Sequence, residues 1–339
     1  MPIIAPKELH FRIELAPDRI PRDKPEYKVT NWSFYNKSLK KRGQLSLLFP
    51  SGDIKEHFIN EESYCKGQVC RQAVYQPAYI ELIYIHYRLF GWGMRQISGY
   101  FEDFWTTRGL DIPVPSFGNL SDLFGNISLE VKQFCNKVKK RIENGEAVDL
   151  IADSSGMSFS KASGWYENKY DKPCKKRPWK KIHLSMDPEM NVHALKMTTD
   201  RVDDRDVLDD LIPDDLNVEK FIADGGYYSM EISESLLYQG IMPIIPLPSD
   251  AVVHGKERST WHDKIVQYIQ EKGTVYAFHK KYGYGIRSLV EALFSRIKRC
   301  LGSTLLTQRE SSQNNEGIII ANIINLWNSF GTCNSQKIG

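Results

Sequence analysis

The sequence has little that would mark a metal-stapled, secreted or membrane-bound protein. Its six cysteines, Cys65, Cys70, Cys135, Cys174, Cys300 and Cys333, form no CxxC pair. That spacing speaks against a zinc finger or ribbon and leaves reduced cytosolic thiols as the simpler reading. No basic N-terminal segment leads into an apolar run, so no secretory signal is expected. The most apolar stretches, residues 78–90 and 318–327, are too short to cross a bilayer, and the first is broken by Glu81, His86 and Arg88. Charge of one sign is scarce too. With 45 Lys and Arg against 42 Asp and Glu, the net charge of +3 permits a nucleic-acid partner without demanding one. The expectation is a soluble, cytoplasmic protein with no membrane partner. Its 339 residues allow a catalytic domain of about 200 residues plus a smaller module.

What is present is a set of acids at telling places. Residues 147–156 read Ala-Val-Asp-Leu-Ile-Ala-Asp-Ser-Ser-Gly, an apolar run that ends in Asp153 and then turn residues. Residues 220–227 repeat the form: Lys-Phe-Ile-Ala-Asp-Gly-Gly-Tyr, with Asp224 in the same position. Each predicts a short buried strand that delivers an Asp at its carboxyl end, where open α/β sheets keep their sites. A third acid, Glu291, lies on a helix predicted over 288–299, whose apolar stripe is Leu289, Leu293, Phe294 and Ile297. Tyr284, Arg287, Glu291 and Lys298 punctuate this stretch, and the last three fall near one helix face. The helix alone is equally compatible with an exposed face carrying ordinary salt bridges. The two upstream acids make a divalent-metal site with phosphate-binding cations the better reading.

On these motifs the chain resembles the DDE transposases of bacterial insertion sequences, in the branch with the Tyr-Arg-Glu-Lys signature. The resemblance covers roughly residues 28–330. It implies an α/β, ribonuclease-H-like catalytic domain, a mixed five-stranded sheet with helices, preceded by a helical DNA-binding region. It further implies cleavage of DNA at the element's ends and strand transfer into target DNA. Asp153, Asp224 and Glu291 would be the catalytic, metal-binding acids, holding two Mg²⁺ ions with Mn²⁺ as a substitute. Arg287 and Lys298 would hold phosphate, with Tyr284 beside the scissile strand. The partners implied are double-stranded DNA, as terminal inverted repeats and as target, and a second copy of the chain in the DNA complex. A nuclease of the same fold that does not join DNA, or a decayed copy that only binds DNA, are the alternatives.

The organisation expected along the chain follows. A proline-rich arm occupies residues 1–27, and a helical region, the expected DNA-end-binding part, covers 28–145. Helices are predicted at 31–42, 77–90, 94–108, from Ser116 toward Phe124, and at 128–144. The catalytic domain is placed at 146–330, with an insertion at about 247–283 and a tail at 331–339. Between the first two strands lies Lys172-Pro-Cys-Lys-Lys-Arg-Pro-Trp-Lys-Lys181, six cations in ten residues with no acid. A charge run is usually only solvated. This one sits beside the acids, so Lys175, Lys176, Arg177, Lys180 and Lys181 are assigned to the DNA backbone. Two antiparallel strands are expected at 179–186 and 192–198. Residues 201–215 hold seven aspartates; they are expected to form an amphipathic helix whose acids are mostly solvated. A helix at 230–238 and a strand at 241–245 follow. Trp261 is assigned to core packing rather than base stacking, and His254, His262 and His279 fit no zinc-ligand spacing.

Overall fold

The computed structural model describes residues 26–60, 74–159, 179–255 and 260–338. Of the predicted features, most of the N-terminal arm and Lys175, Lys176 and Arg177 lie outside these residues.

The core of the fold is a five-stranded mixed sheet built from β2 (Val148–Ser158), β3 (Trp179–Met186), β4 (Val192–Thr199), β5 (Val218–Ile222) and β6 (Met242–Ile244). Its order is β4-β3-β2-β5-β6. The first three strands form an antiparallel meander, whereas β5 and β6 run parallel to β2. This arrangement, α/β with a mixed sheet, is consistent with the ribonuclease-H-like fold that the resemblance implies. The remaining strands, β1 (Glu26–Val29) and β7 (Ser335–Ile338), pair antiparallel as a separate ribbon, so residues of the expected tail lie against the end of the expected arm.

The helices follow the apolar periodicity closely in the first part of the chain. They are α1 (Trp32–Arg42), α2 (Ile54–Phe58), α3 (Pro77–Phe90), α4 (Met94–Thr106), α5 (Phe117–Asn126) and α6 (Asn136–Glu143). In α3, Pro77 opens the helix and Gly91 closes it in the left-handed region at φ 65°, where a side chain would be strained. Ser116 caps α5 by accepting from the Asn119 N–H. An aromatic cluster of Phe58, Tyr79, Phe101 and Trp105 fills the space between α2, α3 and α4, and the Trp105 indole N–H donates to the Tyr79 hydroxyl at 2.8 Å.

Later helices are α7 (Met230–Tyr238), α8 (Thr260–Lys272), α9 (Val275–Tyr282), α10 (Ser288–Leu301) and α11 (Glu310–Ser329). The last is nearly all buried and crosses β4 and α5. It approaches β4 closely because residue 317 is glycine: a Cβ there would stand 2.6 Å from Leu195 Cδ2. One apolar cluster runs from Phe58 through β2 and β3 to Trp327, so the helical region and one sheet face share a core. The other sheet face packs a smaller cluster that includes Leu150, Ala152, Leu208, Leu211 and Phe221. Among the described residues, no helix is long and apolar enough to cross a membrane.

Three expectations are corrected. The stretch 128–144 is helical only from Asn136. The backbone ahead of it runs extended, because side chains of α11 take its hydrogen bonds. Asn315 donates to Ile127 O at 2.8 Å, Asn322 donates to Glu130 O and accepts from the Lys132 N–H, and Asn325 donates to Lys132 O. Second, 201–215 is not an amphipathic helix but two short 3₁₀ turns, Asp204–Val207 and Asp209–Leu211. Asp203 accepts from the Arg205 backbone N–H at 3.0 Å, the local bond by which Asp competes with helix formation, and Pro213 ends the run. Third, β2 does not end at Asp153. Ser154, Ser155 and Gly156 remain in the strand, paired with β3, and Gly156 leaves room for the Trp179 ring, which a Cβ would meet at 3.2 Å.

Candidate active site

Asp153 sits where β2 loses its parallel neighbour. The β2–β5 ladder closes at Ile151 and Ile222, while the β2–β3 ladder continues through Asp153. β5 therefore ends just before Asp224, which stands two residues past the strand. Its carboxylate accepts from the Gly226 N–H at 2.9 Å and opens the 3₁₀ turn Gly225–Tyr227. Asp153 thus lies within β2 where its parallel ladder closes, and only Asp224 stands past the carboxyl end of its strand, as the repeated Ile-Ala-Asp form predicts for both. α10 packs against β2 and supplies Glu291 in its first turn.

Arg287 ties these groups together. Its Nη1 donates to Asp153 Oδ2 at 2.8 Å and its Nη2 to Glu291 Oε1 at 3.1 Å. Lys298, two turns further along α10, donates to Ser155 Oγ at 2.7 Å. The apolar side of α10 buries Val290, Leu293, Phe294 and Ile297, and Leu289 is only half-buried. That packing fixes which face the signature residues share. Tyr284 stacks on His279, ring centres 4.6 Å apart, at the end of α9.

The electrostatics are uneven. Asp153 keeps 14% of its side chain exposed, and burial pushes its carboxyl above the usual range. The Ser154 N–H and the Arg287 guanidinium pull it back, and the Asp224 charge pushes it up again. Burial would lower Arg287, but Tyr284, Asp153, Asp224 and Glu291 together hold it above its ordinary value. Burial likewise raises Tyr284. Glu291 is 63% exposed, with Arg287 as its partner. Among the described residues no three His, Cys, Asp or Glu side chains already stand in a ligating array. The donor set is nonetheless all carboxylate oxygen, the chemistry that suits Mg²⁺, and a guanidinium bridges two of its members as a stand-in cation. The residues fit a divalent ion on that condition: Arg287 must give up its hold on Asp153 and Glu291.

The two described members of the basic run are engaged with acids. Lys180 is buried and donates to Glu310 at 2.6 Å, and Lys181 donates to Asp204 at 3.0 Å. Asp204 is the residue that sequence reasoning missed. Expected to be solvated with six other aspartates, it keeps 20% of its side chain exposed and accepts from Ser154 Oγ at 3.1 Å. Nothing in the sequence distinguishes it from Asp203 or Asp206. Trp261 packs partly buried on the core, against Tyr282. His254 and His262 stack on each other, whereas His279 lies against Tyr284.

No solved structure matches the chain. A family model described as the transposase DDE domain matches residues 144–326, more than half of the chain, from ahead of β2 into α11, and so spans Asp153, Asp224 and Glu291. The protein belongs to the DDE transposase family.

Proposed function

We propose that this protein is the transposase of a bacterial insertion sequence, of the Tyr-Arg-Glu-Lys branch, which cleaves DNA at the element's terminal inverted repeats and joins the ends to target DNA. The observation that carries the reading is the Arg287 bridge between Asp153 and Glu291: a strand acid and a helix acid, 138 residues apart, meet at one cation beside Asp224. Asp153, Asp224 and Glu291 would hold two Mg²⁺ ions, with Mn²⁺ as a substitute. When bound, the ions activate the attacking hydroxyl and stabilise the leaving oxygen of an in-line displacement.

The chain's own residues do the rest. Arg287, once released from the carboxylates, presents a planar fork suited to a phosphate of the DNA backbone. Lys298 adds a second cation from the same helix face, and Tyr284 borders the site. Lys175, Lys176, Arg177, Lys180 and Lys181 are assigned to the DNA backbone, the last two by exchanging Glu310 and Asp204 for phosphate. The helical region 28–145 is assigned to the DNA ends. Its exposed Lys37, Lys40, Lys41, Lys137, Lys139 and Lys140, on α1 and α6, support that assignment. Two ends must be held together, so the working form with DNA is a homodimer.

The test is Mg²⁺-dependent cleavage of a labelled duplex carrying the flanking terminal repeat. Wild type is expected to cut at the repeat boundary. Asp224→Asn and Glu291→Gln are expected to bind the duplex but to lose cleavage by more than about a hundredfold, beyond what groups behind the ligands command. Cutting by either variant at the wild-type rate overturns the site. Cleavage without strand-transfer products identifies a nuclease instead.

A further inference from the structure

We infer that Asp204 is a positioning residue of the metal centre, a fourth carboxylate that acts from behind the sheet. The inference rests on the DDE reading above, because it assigns Asp204 a task toward the same ions.

Side chains alternate across β2. Asp153 and Ser155 face α10, where Arg287 and Lys298 bind them; Ser154 faces the other way. On that back face Ser154 Oγ donates to Asp204 Oδ2 at 3.1 Å, while the Ser154 N–H donates to Asp153 Oδ1 at 2.8 Å. One residue therefore links the two carboxylates. Asp204 Oδ1 takes a hydrogen bond from Lys181 Nζ at 3.0 Å, so its two oxygens are held by β2 and by β3, the antiparallel neighbour of β2. It also reaches the second catalytic loop. A side chain at Gly226 would meet Asp224 Oδ1 at 3.0 Å and Asp204 Oδ2 at 3.7 Å, so the two carboxylates flank one point.

Two buried polar atoms near this cluster have no hydrogen-bond partner among the described residues. His183, fully buried, places Nδ1 3.5 Å from Asp204 Oδ1 without hydrogen-bond geometry. The Tyr227 hydroxyl, on a fully buried ring, feels the charges of Asp204, Asp153 and Asp224 together. Asp204 thus sets the field in which Asp153 and Asp224 take up a cation, and it neutralises Lys181, whose charge would otherwise oppose that cation.

The test measures Mn²⁺ binding to DNA-free protein by electron paramagnetic resonance, with melting temperature recorded on each sample. Asp204→Asn is expected to weaken Mn²⁺ binding about tenfold, the usual scale for a group behind the ligands. Asp206→Asn, in the same run, is expected to leave it unchanged. Adding Lys181→Met to Asp204→Asn removes the uncompensated cation and is expected to restore at least half of the lost affinity on a logarithmic scale. A purely structural role would give no such rescue. If Asp204→Asn does not fold, Ser154→Ala carries the test, with an expected loss of about threefold. Wild-type affinity in a folded Asp204→Asn, or in Ser154→Ala where that variant stands in, overturns the inference. So does the lack of rescue by Lys181→Met. Should wild type bind no Mn²⁺, or Asp224→Asn bind it as well as wild type, the DDE reading itself fails, and the two failures are thus distinct.

Discussion

Two guanidinium–carboxylate pairs in this molecule look alike on paper and differ in every physical respect. Arg88 and Glu316 are 1% and 0% exposed and meet at 2.6 Å. Arg88 also donates to the carbonyls of Thr304, Leu301 and Gly302, and Glu316 accepts from the backbone N–H groups of Leu306 and Thr307 and from the Thr307 hydroxyl. Nearly every atom of that pair has its partner within the chain, and the pair ties α3 and α11 to the link behind α10. The Arg287 cluster is half-open, its Glu291 is largely in solvent, and burial raises the carboxyl of its Asp153. A charge that the fold satisfies almost wholly from its own groups is architecture. A charge that the fold leaves partly unanswered is available to something that is not protein.

The sharpest way to break the comparison is the same substitution at both sites. Arg88→Met strands Glu316 in the core and is expected to cost about 3–5 kcal/mol in urea unfolding. Arg287→Met is expected to cost less, about 1 kcal/mol, because Glu291 is 63% exposed and Asp153 keeps its bond from the Ser154 N–H. It should nonetheless tighten Mn²⁺ binding severalfold in the absence of DNA, since the guanidinium and the ion compete for Asp153 and Glu291. Equal stability losses would erase the distinction.

The smallest effect is the most diagnostic. The Asp153 carboxyl is raised in the folded protein, so its ionised form opposes folding above that raised value and the opposition vanishes below the ordinary carboxylate range. Asp153→Asn is therefore expected to raise the melting temperature at pH 7 by about 1–2 °C while abolishing cleavage. That advantage over wild type should shrink as the pH falls, because protonation of the wild-type carboxyl relieves the same burial of charge. A variant less stable than wild type at pH 7 would mean that Arg287 over-compensates the burial.

Much of this was readable in the sequence, for reasons that can be named. Ile-Ala-Asp at two places and the apolar period of α10 are local patterns, and they located the strands and the helix that carry the three acids. The segments that misled are those governed by distant partners. Residues 128–135 have helical composition, but Asn322 and Asn325, some 190 residues away, take their backbone bonds. Asp204 could not be told from its acidic neighbours because what singles it out is Ser154 and Lys181, on strands that only the fold brings to it. The strand β2 overran its expected end because β3 still pairs with it where β5 has stopped. The expected insertion holds the helices α8 and α9, which bury Ile265 and Phe278 in the common core.

The asparagines of α11 bear on how the chain matures as it is made. Asn325 donates both to Lys132 O and to Val192 O, across 193 and 133 residues of sequence. At ordinary rates of synthesis, about 10–40 s separate the emergence of residue 132 from that of residue 325. Asp153 and Asp224 both emerge within that interval, before the helix that braces their sheet. The sheet is therefore braced late, and a chain interrupted within α11 would carry Asp153, Asp224 and Glu291 yet lack part of the helix that packs on β4.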